Sequence, residues 1–322
     1  VKNAGKTTVL NALIDSFPKL VLAISSIGMD GEPFDNVTRL PKPRIQVRPG
    51  FLVATTEKCL AASDSEYELL YHSGIRTPLG EVLIVRILTT GFCLVAGPSS
   101  VSDMEMIVGK LKAFGAEKVF VDGAFSRQSS ARLSEAVILV VGANRSQLVD
   151  TVVQDAKENI ARLLIPGAGE RYAFLNKQES AVLIEKSGTV VVIPEKSVIT
   201  DSASILDRLT TDTEYLYLPN AVTAGFVRAL MKHKTAPDVK IIMKSPINYL
   251  DDDPFALGKL AYAGRLFTLH KINLVAVCYN PYSPQGYRFD NQEFRSKLKK
   301  ISDLPLYNVL ESEGDQHEQT QS

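Results

Sequence analysis

Short apolar runs that end in polar loops alternate with helical segments along most of this chain, and that alternation restricts its fold more than any other feature. Val21 to Ile27, Lys118 to Val121, Ala136 to Val141, Tyr215 to Leu218, Val239 to Met243 and Ile272 to Val277 read as buried strands. Between them, apolar residues recur at helical spacing. Val9, Leu10, Leu13, Ile14 and Phe17 predict a helix that stops before Pro18, and Met104, Ile107, Val108, Leu111 and Phe114 predict one that Gly115 ends. Val149, Val152, Val153, Ala156, Ile160 and Leu163 predict a third, and further helices are expected over about 222–232 and 291–301. Ser102 with Glu105 forms a capping box for the second of these helices, and Ser146 is placed to cap the third. Buried strands joined by amphipathic helices imply an α/β fold, a doubly wound and mostly parallel sheet with helices on both faces.

The stretch from about 44 to 98 breaks the pattern. Ile45 to Val47, Tyr67 to His72, Glu81 to Leu88 and Phe92 to Ala96 read as successive β segments with turns at Pro49-Gly50 and Thr90-Gly91, so a β-rich insertion is expected there. A hairpin is predicted from Ala181 to Pro194, turning at Ser187-Gly188. The 322 residues divide accordingly into a first domain over 1–166, a second α/β lobe over 167–310 and an acidic, disordered tail over 311–322.

Charge excludes more than it suggests. Thirty-six basic residues balance thirty-six acidic ones, which argues against a nucleic-acid or membrane-surface partner. Cys59, Cys93 and Cys278 are widely spaced and form no zinc pattern, and no apolar run reaches membrane-spanning length, so a reduced, cytoplasmic protein is expected. His72, His233 and His270 have no companions at ligand or triad spacing.

The chemistry lies at the start. Val1-Lys2-Asn3-Ala4-Gly5-Lys6-Thr7 supplies the phosphate-loop pattern G-x-x-x-x-G-K-[ST] except for its first glycine, which predicts a preceding strand that ends in glycine. Asn3, Ala4, Gly5, Lys6, Thr7 and Thr8 are thus the candidate nucleotide-binding residues. A glycine lets backbone N–H groups approach phosphate oxygens, the helix that follows aims its positive end at them, Lys6 reaches the outer phosphates and Thr7 offers a hydroxyl to magnesium. Magnesium also needs a carboxylate at a nearby strand end, and Asp122 fits, with Asp30 as rival or companion. Arg127 reads equally as a γ-phosphate ligand or a surface charge, and Asn144 and Arg145 as base neighbours or an ordinary loop. No guanine-reading Asn-Lys-x-Asp motif follows a strand, which favours ATP and leaves GTP as the alternative. Tyr279, Tyr282, Tyr287 and Phe289 cluster after the last buried strand, either as a local aromatic turn or as a partner surface.

With Ile27-Gly28-Met29-Asp30-Gly31-Glu32 and Val121-Asp122-Gly123-Ala124, the loop resembles the P-loop NTPase class that contains dethiobiotin synthetase and the molybdopterin-guanine dinucleotide adaptor proteins. That resemblance implies Lys6, Thr7, Asp30 and Asp122 as nucleotide or magnesium residues. The whole chain, including Ala221-Val222-Thr223-Ala224-Gly225 and Tyr279-Asn280-Pro281-Tyr282-Ser283-Pro284-Gln285-Gly286, resembles the P-loop subunit of lysine 5,6-aminomutase reactivases. In that family ATP is used, with a partner subunit related to mismatch-repair ATPases, to replace damaged cobalamin in the aminomutase. The resemblance thus implies a magnesium-dependent ATPase with protein partners. The residues alone leave open a ligase or kinase that phosphorylates a small acid, a non-hydrolysing nucleotide-binding module, and self-association into a homo-oligomer.

Overall fold

A computed structural model describes residues 4–27, 45–123, 134–234, 238–250, 258–261 and 263–310. In chain order, α1 (Lys6–Ser16) is followed by β1 (Leu22–Ser26), β2 (Ile45–Val47), β3 (Leu52–Thr56), α2 (Glu57–Ala61), β4 (Tyr67–Thr77), β5 (Gly80–Ile87) and β6 (Gly91–Cys93). Then come α3 (Val101–Ala113), β7 (Lys118–Asp122), β8 (Val137–Gly142) and α4 (Val149–Leu163). The remaining elements are β9 (Val182–Glu185), β10 (Val190–Val192), α5 (Ser202–Asp207), β11 (Thr213–Leu218), α6 (Ala224–Met231), β12 (Lys240–Met243), β13 (Leu266–Thr268), β14 (Leu274–Asn280), α7 (Asn291–Lys299) and β15 (Leu306–Asn308).

These strands make a mixed α/β architecture whose first sheet has the order β4-β5-β3-β1-β7. β1 pairs in parallel with β3 on one side and β7 on the other, while β5 runs antiparallel to β3 and to β4. β3 sits at the heart of this sheet, although its sequence predicts no strand; the stretch expected as an insertion supplies three of the five strands, β4, β5 and β3, of which β3 pairs with β1. The period of two explains the two-sided core. Leu22, Ile24, Val53 and Val85 point to the face covered by Leu10 and Ile14 of α1, and Ala23, Leu52, Ala54 and Ile84 to the face covered by Ile107 and Leu111 of α3. β2 and β6 form a separate antiparallel pair.

Two helix starts differ from expectation. The α3 cap is Ser100, whose side chain accepts from the Asp103 backbone N–H at 3.1 Å, so the capping box at Ser102 does not form. α4 starts after Leu148, and Ser146 Oγ accepts from the Leu148 N–H instead, two residues on. In both cases a serine hydroxyl is satisfied by a backbone N–H close by, and helical spacing alone does not say which serine takes the cap.

A second sheet, β10-β9-β11-β12-β13, lies wholly within residues 182–268 and carries apolar clusters on both faces. The predicted hairpin is β9 and β10, with Gly188 at φ 88° in its turn. Within this lobe Glu195 accepts from Ser204 Oγ and from Arg208 Nε at 2.8 Å, and these contacts, the Ser204 hydroxyl first, hold its carboxyl below the ordinary range. A depressed folded-state pKa adds stability above the unfolded value and loses it as pH falls through the folded one. Glu195→Gln should therefore lower the thermal midpoint at pH 7, with the gap to wild type closing as pH falls from about 5 toward 3.

β14 and β15 return to the first half of the chain. β14 pairs in parallel with β8 and with β15, and α4 and α7 cover this third sheet through Val152, Val153, Ile160, Phe294 and Leu298. A boundary at 167 separates strands that pair with each other. The lobe is instead an insertion that leaves after α4 and returns before β14, and its two ends are laced by a bridge between Gly167 and Thr268. No helix among the described residues is long and apolar enough to cross a membrane.

Candidate functional site

α1 begins where Gly5 turns the chain at φ 98°, a left-handed conformation that a residue with a Cβ adopts only under strain. Among the described residues no side chain caps this helix, and its first turn carries no acidic residue. The first intrahelical bond runs from the Val9 N–H to the Gly5 carbonyl at 3.0 Å, which leaves the N–H groups of the preceding turn facing outward. An uncapped N-terminus with its partial positive charge is suited to an anion.

The ends of two strands touch the loop. At one, Lys6 Nζ donates to the Gly123 carbonyl at 3.4 Å, just past the end of β7. At the other, Ala4 is buried against the end of β8, so closely that a Cβ added at Gly142 would lie 2.9 Å from Ala4 Cα and 2.6 Å from Asn144 Oδ1. Gly5 in turn sits over the end of β14. A Cβ built on it would lie 3.1 Å from Asn280 Nδ2, and Asn280 Oδ1 is itself fixed by the Tyr282 N–H at 3.0 Å. Gly142 and Asn280 were not anticipated as neighbours of the loop. A glycine that ends an apolar run was the one available signal for Gly142, since it marks close backbone approach.

Asp122 closes β7 and pairs in register with Ser26 at the end of β1. Phe120, two residues earlier, packs into the cluster beneath α1, so the strand period carries Asp122 to the α1 side of the sheet. Ser26 shares that face with Leu22 and Ile24. The structure thus brings Ala4, Gly5, Lys6, Thr7 and Asp122 to one end of the parallel strands, with Lys6 and Thr7 half-buried and Thr8 exposed. Asn3, Asp30 and Arg127 lie outside the described residues. Gly97 tightens the same end: a Cβ there would stand 2.1 Å from the Ser26 carbonyl oxygen and 2.8 Å from Ser25 Oγ.

Other candidates have local partners. Arg145 pairs with Asp155 at 2.5 Å, and His72 with Glu81 at 3.2 Å. Of the aromatic cluster, Tyr279 is buried edge-on against Phe294, Phe289 packs on the same ring, and Tyr287 donates to the Ala143 carbonyl, whereas Tyr282 is exposed. All three cysteines are buried and none forms a disulfide; burial pushes the Cys93 thiol up and that of Cys278 to about 11, which disfavours the thiolate at these two. Among the described residues no cluster of three or more His, Cys, Asp or Glu side chains could hold a metal by itself. Magnesium at Thr7 and Asp122 would therefore need phosphate oxygens to complete its shell, as this ion commonly does.

No family model matches the chain, and no curated protein and no solved structure matches it.

Proposed function

We propose that the chain binds a nucleoside triphosphate, ATP in preference to GTP, with magnesium, at the loop around Gly5, Lys6 and Thr7. The observation that carries this reading is the juxtaposition of an uncapped helix N-terminus, entered through a left-handed glycine, with Lys6 reaching the end of the strand that carries Asp122. The main-chain N–H groups and Lys6 would take the phosphates, and the Thr7 hydroxyl and Asp122 would serve magnesium or its water shell. The P-loop NTPase-like arrangement belongs to this proposal, as does turnover: water attacks the γ-phosphate while Lys6 and magnesium neutralise the developing charge. No second catalytic constellation accompanies the loop among the described residues, which favours an ATPase that works on a partner. The resemblance in sequence specifies that partner as a cobalamin-dependent aminomutase, served with a reactivase subunit related to mismatch-repair ATPases.

Calorimetric titration of ATP and of GTP, each with magnesium, tests the site. Selective ATP binding supports it and binding of neither overturns it, while an ATPase rate that depends on a small acid rather than a protein would make the chain a ligase or kinase. Asp122→Asn should reduce the magnesium dependence of binding by about tenfold and leave metal-free nucleotide affinity almost unchanged. An unaltered magnesium titration would remove Asp122 from the site.

A further inference from the structure

The inserted lobe ends on an edge strand that lacks the usual defences. An open edge offers its unpaired backbone donors and acceptors to any other strand, and proteins blunt such edges with bulges, charge or a covering segment. β4, at the edge of the first sheet, has register breaks between Leu69 and Tyr71 and between His72 and Arg76, and it carries Glu68, His72 and Arg76. β13, at the far edge of the lobe, is covered: the Thr268 N–H donates to the Pro166 carbonyl, and the Thr268 carbonyl accepts from the Ala168 N–H. β10, at the lobe's other edge, has neither device. Val190-Val191-Val192 pairs with β9 in unbroken register, carries no charge and, among the described residues, bonds to no other strand. Its side chains are exposed on both faces, at 44%, 38% and 53% in that order, although valine is among the residues most often buried.

The phase of the strand fixes what faces outward. The Glu185 N–H donates to the Thr189 carbonyl at 2.9 Å and the Ile193 N–H to the Ala181 carbonyl at 3.0 Å, so Thr189 and Ile193 turn their backbone groups toward β9. By the period of two, Val191 does the same, and Val190 and Val192 present theirs to the open side. The side chains alternate across the sheet as well. Val191 lies opposite Leu183 on the face of the larger apolar cluster, and Val190 and Val192 lie opposite Ile184 and Val182 on the other.

We propose that β10 is a self-association edge, and that its occupant is the β10 strand of a second copy of this chain, antiparallel about a two-fold axis at Val191. In this register Val190 exchanges both backbone hydrogen bonds with the partner's Val192, and Val192 with the partner's Val190. Pro194, which has no N–H, and Gly188, whose N–H is already donated to the Glu185 carbonyl at 2.9 Å, both stay outside the ladder. Val191 meets its own copy at the axis, in the non-hydrogen-bonded arrangement that brings Cα atoms to about 4.5 Å. The two five-stranded sheets become one, with Val190 and Val192 of both copies clustered on one face. Charge favours a second copy over a foreign acidic or basic segment. The strand has no charged side chain to recognise one, and a chain of thirty-six basic and thirty-six acidic residues meets its copy without long-range repulsion.

Sedimentation velocity of the full chain without nucleotide tests this, so the outcome is separate from that of the phosphate-site reading. A short ladder belongs with small interfaces, and a monomer–dimer equilibrium is expected between about 1 and 200 µM. Val191→Lys and Val191→Glu should each raise the dissociation constant at least about tenfold, because each sets two like charges directly opposite one another. An equimolar mixture of the two variants should dimerise again, since lysine then faces glutamate across the axis. Val192→Pro removes an outward N–H without touching the bonds to β9, and it should also dissociate the dimer. Thermal melts establish that each variant is folded. A wild-type chain that stays monomeric up to about 200 µM would overturn the proposal, as would a dimer that persists in folded Val191→Lys or Val192→Pro. Charged variants that remain monomeric when mixed would overturn the pairing of Val191 with its own copy.

Discussion

Lys6→Ala should lower the affinity for ATP with magnesium on the order of 100-fold while the unfolding free energy stays within about 1 kcal/mol of wild type. The affinity loss follows from removing a full positive charge and its hydrogen bonds from the phosphate end of α1. The small effect on stability follows from the position of Lys6, which is half-buried and, among the described residues, makes one long hydrogen bond, 3.4 Å to the Gly123 carbonyl. Lys6→Arg should not restore binding, since a planar guanidinium does not replace a compact ammonium at the end of a tight loop. Calorimetry beside a thermal melt separates the two effects. A folded Lys6→Ala protein that binds ATP as wild type does would remove the loop from any phosphate role.

The second large effect is structural. Gly97→Ala should destabilise the protein by about 3 kcal/mol, visible as a lower urea midpoint at an unchanged slope. The new methyl group would meet the Ser26 carbonyl oxygen at 2.1 Å and its carbon at 3.2 Å, and both belong to the backbone of β1. That strand is held by β3 on one side and β7 on the other, so it cannot move aside without breaking a ladder. Gly109→Ala is the contrasting control. It lies on an exposed turn of α3 with nothing within 4 Å of the added carbon, and it should stabilise by about 0.5–1 kcal/mol through helix propensity. Equal midpoints for the two variants would show that the contact at Gly97 relaxes freely. Because Ser26 adjoins Asp122 in register, Gly97→Ala should also weaken nucleotide binding in whatever fraction stays folded.

What could be read from the sequence was local. α1, β1, β7 and the ends of most other strands follow from apolar spacing and glycine punctuation, and the Gly5-Lys6-Thr7 turn with its helix is a short-range pattern. β3 escaped because Leu52 to Thr56 runs straight into the helix-forming Glu57 to Ala61 with no turn signal between them, so neither period dominates the window. Pairing escaped for a different reason. Leu274 to Asn280 announces a strand, but nothing in its own composition says that it lies beside Val137 to Gly142 across an inserted lobe. The site was legible to the same extent. Lys6, Thr7 and Asp122 carry recognisable chemistry, whereas Gly97, Gly142 and Asn280 matter through close approach to a distant backbone, a property that exists only once the chain is folded.

The lacing of the inserted lobe has a consequence for how such a chain can change over generations. The Thr268 N–H donates to the Pro166 carbonyl at 2.9 Å and the Ala168 N–H to the Thr268 carbonyl at 2.8 Å, so the lobe departs and returns almost at one point. A single recombination event that replaced residues 166–271 with a joint of hairpin length would leave β8 and β14 in register and Gly142 and Asn280 where they are. The lobe is the part of the chain whose exchange disturbs the loop around Gly5 least, because it leaves and returns at one point away from Gly142 and Asn280.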